Sequence, residues 1–200
     1  MISYSIIRSE LKTGDIVLSS CKGAFSDIIK YGSLSKYSNV GMVVRIPEYD
    51  FLAIWECTTL NNVSDVDPNL PRKGVQFVPL SDRVQKYSGD IAIRQLKGAS
   101  LPAGALLKLM ELRKQLRGKS YEREKVQLLK SACDGPFGHN NEDLSSIFCS
   151  ELVAEAYQCL GLLKDDKASN EYTPADFTDT KMRKLSGNFF LSDEILVKDD

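Results

Sequence analysis

The chain has 200 residues with 42% hydrophobic and 26% charged side chains, a composition that excludes a disordered chain and predicts one domain over residues 1–200. Lys and Arg total 26 against 27 Asp and Glu, for a net charge of −1, which excludes recognition of nucleic acid by bulk charge. No apolar stretch approaches the ~18 residues of a membrane span, and residues 1–15 do not read as a signal peptide. The five cysteines are odd in number and form no C-x-x-C pair. That argues against a disulfide framework and a paired-thiolate zinc site. The expected setting is reducing and cytoplasmic, with no cofactor.

In chain order, Asp15–Ser19 follows a Lys-Thr-Gly turn and predicts a strand. Ala24–Tyr31 has the spacing of a short helix, and Gly32–Ser38 reads as a loop. Asn39–Ile46 and Phe51–Thr58 are apolar and β-branched, with turn residues at Pro47–Asp50, and predict an antiparallel hairpin. Asn61–Lys73 reads as irregular, Val75–Pro79 as a strand, and Ser81–Tyr87 as a short helix capped by Ser81 or Asp82. Asp90–Leu96 alternates with period two and predicts another strand. A helix from Pro102 to a stop at Gly118 follows, then a second over Tyr121–Ala132 and a breaker-rich loop over Asp134–Asn141. Cys149, Leu152, Val153, Ala156 and Leu160 form a helical stripe that ends at Gly161. A Pro174–Thr178 turn and a last strand over Asn188–Val197 complete the chain. Strands segregated from helices predict an α+β fold with a mostly antiparallel sheet or small barrel packed against helices.

Four residues stand out chemically. Cys149 follows Ser145 and Ser146, either of which suits a helix cap. In a first helical turn, orphan N–H groups and the positive dipole end would favour the nucleophilic thiolate. Its other reading is a small apolar side chain on the inner stripe. Glu56 shares a strand lane with Leu52 and Ile54, as an orienting or basic carboxylate or as a strand end in water. Asn39 opens a strand and shares its lane with Gly41 and Val43, either at a site or bonding the Ser33–Ser38 loop. His139, the lone histidine, lies ten residues before Cys149, as a loop residue or a base folded back onto the helix start.

Leu11–Leu18 (LKTGDIVL), Ser38–Val44 (SNVGMVV), Trp55–Glu56, Phe148–Val153 (FCSELV) and Tyr172–Phe177 (YTPADF) together resemble the circularly permuted NlpC-type, papain-like cysteine hydrolases of the YiiX-like branch. The resemblance runs from about Leu11 to Phe177 and rests on the order of the motifs. It implies a permuted papain-like fold with the nucleophilic cysteine at a helix N-terminus facing the sheet. It also implies acyl chemistry on a peptide, amide or acyl-ester substrate, with lipid acyl transfer in related members. Carried over by motif, Cys149 is the nucleophile and Glu56 the residue that orients the base. The family reads Ser-His-Val-Gly where this chain reads Ser38-Asn39-Val40-Gly41, so Asn39 stands in the place of the base. An amide takes no proton near neutral pH. The chain then keeps the cleft for binding alone, is an inactivated form of an enzyme, or draws its base from His139.

Overall fold

A computed structural model describes residues 1–20, 36–117 and 141–199, with side chains omitted over 141–147. The predicted helices at Ala24–Tyr31 and Tyr121–Ala132, most of both flanking loops, and His139 lie outside the described residues.

In chain order the elements are β1 (Ile2–Ser3), α1 (Tyr4–Arg8), β2 (Ile16–Ser20), β3 (Asn39–Ile46), β4 (Phe51–Thr58), β5 (Ser64–Asp65), β6 (Leu70–Pro71) and β7 (Gly74–Pro79). They continue with α2 (Leu80–Lys86), β8 (Asp90–Arg94), β9 (Leu96–Gly98), α3 (Ala105–Leu116), α4 (Asn141–Cys159), β10 (Phe189–Leu191) and β11 (Ile195–Lys198). Seven strands form one sheet in the order β1–β11–β8–β2–β3–β4–β7. The β1–β11 pair is parallel and the other neighbours run antiparallel. The sheet ends at β1 and β7, so the fold is α+β with an open sheet and no closed barrel.

The β3–β4 hairpin has the predicted bounds. A 3-10 turn over Pro47–Tyr49 and Asp50 at φ 44 reverse the chain. Asp tolerates that left-handed conformation better than most residues. Arg8 and Arg45 both pair with the Asp50 carboxylate, at 2.8 and 2.6 Å, and hold the turn to the end of α1.

The hairpin separates two cores. Val40, Met42 and Val44 of β3 and Ala53, Trp55 and Cys57 of β4 pack against Cys149, Leu152, Val153 and Ala156 of α4. Val43, Leu52 and Ile54 face the other way, against Leu80 and Val84 of α2. Strands covered on both faces read as near-continuous apolar runs, which is why these two were so clear in the sequence. Each fully buried Val, Leu or Ile contributes roughly 1.5–3 kcal/mol of transfer free energy, so the two layers fix the register of β3 on β4.

Two expected strands are each split. The chain leaves the main sheet at Gln95, between β8 and β9, and again between β10 and β11. Side chains take over the backbone hydrogen bonds at the break. The Gln95 N–H donates to Ser192 Oγ at 2.9 Å and the Leu96 N–H donates to Asp15 Oδ1 at 2.8 Å. β9 and β10 then pair with each other in a two-stranded sheet. Two helix starts also move. Proline at 102 sits in the turn before α3, where its carbonyl accepts the Ala105 N–H, and Gly104 precedes the helix at φ 83. The α2 helix starts after Pro79, and neither Ser81 nor Asp82 caps it; the Ser81 hydroxyl bonds Asp82 instead. The Asn61–Lys73 segment carries the short β5–β6 ladder. Gly161, at φ 71, follows the end of α4 as expected.

Candidate active site

Cys149 is not in the first turn of its helix. The helix begins at Asn141, so Cys149 is its ninth residue, and Ser145 and Ser146 lie inside it. Serine costs little in a helix interior. The dipole effect falls off within one turn and does not reach Cys149. The thiol is fully buried. Burial pushes it well above the ordinary cysteine range, and Cys57 and Glu56 add to that rise. The backbone N–H groups of Val40 and Ser150 oppose it without overcoming it. In this state Cys149 is a protonated thiol rather than a nucleophilic thiolate.

Cys57 lies on the same face, one residue beyond Glu56 on β4. Burial, with Glu56 and Glu151 nearby, pushes its thiol up to about 12.

Asn39 is the first residue of β3 and is half-buried. Its Oδ1 accepts the N–H of the next residue, Val40, at 2.9 Å; residues 33–35 of the preceding loop lie outside the described residues. That same Val40 N–H is the largest influence favouring the thiolate at Cys149. Two sequence-predicted residues separated by 110 positions thus converge on one backbone amide at the start of β3.

Glu56 does not end in water. It is 3% exposed, and its Oε1 accepts a hydrogen bond from Arg83 Nε of α2 at 2.6 Å. Burial raises its pKa, and the Arg83 guanidinium pulls it back. Glu56 lies opposite Gly41 on β3 and Gln76 on β7. A Cβ added to Gly41 would stand 2.8 Å from Ile54 Cδ1 and 3.1 Å from the Glu56 Cβ, so Gly41 leaves room first for Ile54 and then for the Glu56 stem.

Arg83 was missed in the sequence, and it organises this side. Its Nη1 donates to Asn62 Oδ1 at 2.7 Å and its Nη2 to Gln76 Oε1 at 2.9 Å. Gln76 in turn donates its Nε2 protons to the carbonyls of Leu60 and Arg72. One signal was available. Arg83 lies at i+3 from Leu80 and beside Val84, a position on the buried stripe of its helix. A charge there needs a partner.

The remaining motif residues tie the layers around α4. Tyr157 donates its hydroxyl to the carbonyl of Gly14 at 2.5 Å, and Ser150 donates to the carbonyl of Tyr172 at 2.6 Å. The Tyr157 and Phe177 rings meet edge to face at 6.1 Å. Among the described residues no group of three or more His, Cys, Asp or Glu is placed to hold a metal ion. No helix among them is long and apolar enough to cross a membrane.

No protein-family model matches the chain, and no curated protein matches it. Among solved structures it is similar to the metalloprotein yiiX from Escherichia coli O157:H7, a DUF1105 protein, at 22% sequence identity and a TM-score of 0.47. The alignment covers 74% of this chain, which spans 64% of the length of that protein.

Proposed function

We propose that the chain is a thiol-hydrolase scaffold for acyl transfer at a peptide, amide or ester carbonyl, with Cys149 in the nucleophile position and Asn39 in the place of the base. The observation that carries this reading is the convergence of Cys149 and Asn39 on the Val40 N–H. Together with Glu56, these are the residues that the permuted papain-like resemblance selects, with position 39 in the place of its base and in the same strand lane as Gly41, which lies opposite Glu56.

In an active form the base takes the thiol proton and the thiolate attacks the carbonyl carbon. The amine or alcohol leaves with a proton, and the thioester is then released by water or another acceptor. Asn39 cannot perform the first transfer. Loss of a positioned base costs roughly 100–10,000-fold in rate, so this form is inactive or weakly active. A reducing, cytoplasmic setting belongs to the same reading and is supported by the odd number of cysteines and the lack of a C-x-x-C pair.

A second reading, a binding module without turnover, is favoured by the burial of Cys149, which pushes its thiol well above the ordinary range. Asn39→His separates the two. The hydrolase reading expects thioester formation or turnover on amide and ester panels, abolished by Cys149→Ala. A well-folded Asn39→His protein that stays inert across both panels supports the binding module.

A further inference from the structure

Among the described residues the carboxylate of Glu56 is held through one oxygen: its Oε1 receives Arg83 Nε at 2.6 Å, in a pair whose side chains are 4% and 3% exposed. The holding group is itself held. Arg83 spends Nη2 on Gln76 and Nη1 on Asn62. Gln76 cannot turn its amide over, because both of its N–H protons serve backbone carbonyls, those of Leu60 and Arg72. Asn62 is fixed by donating Nδ2 to the carbonyl of Lys86 at 3.0 Å. Two fixed acceptors, Gln76 and Asn62, hold the guanidinium in one orientation with its Nε aimed at Glu56 Oε1.

This network lies on the α2 face, whereas Cys149 packs on the α4 face. The two approach at the β3 start, where Glu56 lies opposite Gly41 and Asn39 is two residues further along the same lane. Other ionisable groups that interact with this carboxylate are the Cys57 and Cys149 thiols, with Glu151 beyond Cys57. Arg83 is the cation among them.

We infer that Arg83 is a positioning residue of the site: it keeps the Glu56 carboxylate ionised inside the protein and turned so that its second oxygen can serve the side chain at position 39. This rests on the hydrolase reading, in which position 39 holds the base and Glu56 orients it. Without Arg83, a carboxyl buried to this degree takes up a proton and cannot balance an imidazolium.

The test uses the full chain carrying Asn39→His and follows alkylation of Cys149 by iodoacetamide against pH, read by mass spectrometry with Cys159 as internal control. Asn39→His is expected to move the Cys149 profile down by about one pH unit or more, roughly tenfold in rate at fixed pH. Adding Arg83→Met is expected to cancel that shift, and Arg83→Lys to restore part of it. If Arg83→Met does not fold, Arg83→Gln, which can still hydrogen-bond Oε1 without a charge, is expected to cancel the shift in the same way. A purely structural Arg83 would lower the melting temperature and leave the profile of the folded protein in place, and that result overturns the inference alone. A profile that Asn39→His itself does not move overturns the hydrolase reading, and this inference with it.

Discussion

The two faces of the β3–β4 hairpin handle buried polar groups in opposite ways. On the α4 face the buried reactive groups are the Cys57 and Cys149 thiols, which burial keeps neutral. Trp55 Nε1 on that face is buried without a hydrogen-bond partner among the described residues. On the α2 face a full carboxylate is buried, and it is tolerated because a helix brings a guanidinium with further fixed partners. A thiol can be buried at small cost because it can stay protonated, whereas a carboxylate must be paired or take up a proton. The α2 face thus holds a carboxylate paired to a guanidinium, and the α4 face two neutral thiols with Glu151 near Cys57.

That contrast gives a ranking of expected effects. The largest is on the charged face. Glu56→Gln leaves Arg83 buried against a neutral amide, and breaking one side of such a pair costs about 3–5 kcal/mol. Urea unfolding measures this directly, and a loss below about 1 kcal/mol would place the pair among solvent-screened surface bridges instead.

Next is a buried carboxylate that forms no ion pair among the described residues. Asp15 is fully buried and accepts the N–H groups of Lys12 and Leu96, each at 2.8 Å. Burial raises its pKa to about 6. The folded state therefore binds a proton that the unfolded chain, at the ordinary carboxylate value, does not. The stabilising contribution is complete below the unfolded pKa and is lost as pH rises through about 6. Relative to a non-titrating Asp15→Asn control, the unfolding free energy should rise by roughly 3 kcal/mol from about pH 7 to about pH 4. A difference that stays flat across that window would remove the proton uptake.

The smallest effect concerns a neutral tie. Tyr157→Phe removes the hydroxyl that serves the Gly14 carbonyl and should cost about 1 kcal/mol, seen as a lower urea midpoint with an unchanged slope.

How much of this was legible in the sequence follows from range. The β3 and β4 bounds were readable because both strands are buried on both faces and the turn between them has its own residue chemistry. The α4 stripe and its stop at Gly161 were readable for the same local reason. The start of α4 was misplaced because Ser145 and Ser146 are good caps that are also tolerated inside a helix, and this error had supplied the reason for an activated thiol. The strand breaks at Gln95 and near Ser192 depend on acceptors about 80 to 97 positions away, and period-two alternation carries no trace of them. Glu56 was singled out correctly as a carboxylate in need of a partner, but the partner lies 27 residues on, on another element. Only the placement of Arg83 on an apolar helix stripe hinted at it.

The most direct test of the central claim is the pH dependence of Cys149 alkylation in the native chain, read beside Cys159 and beside Asn39→His. A thiol pushed upward by burial, and lacking a base, should react more slowly than Cys159 near neutral pH. With histidine at position 39 it should become the more reactive of the two below about pH 8. Rapid, selective alkylation of Cys149 with Asn39 in place would contradict the account, because the thiol would then be accessible and activated without the missing base.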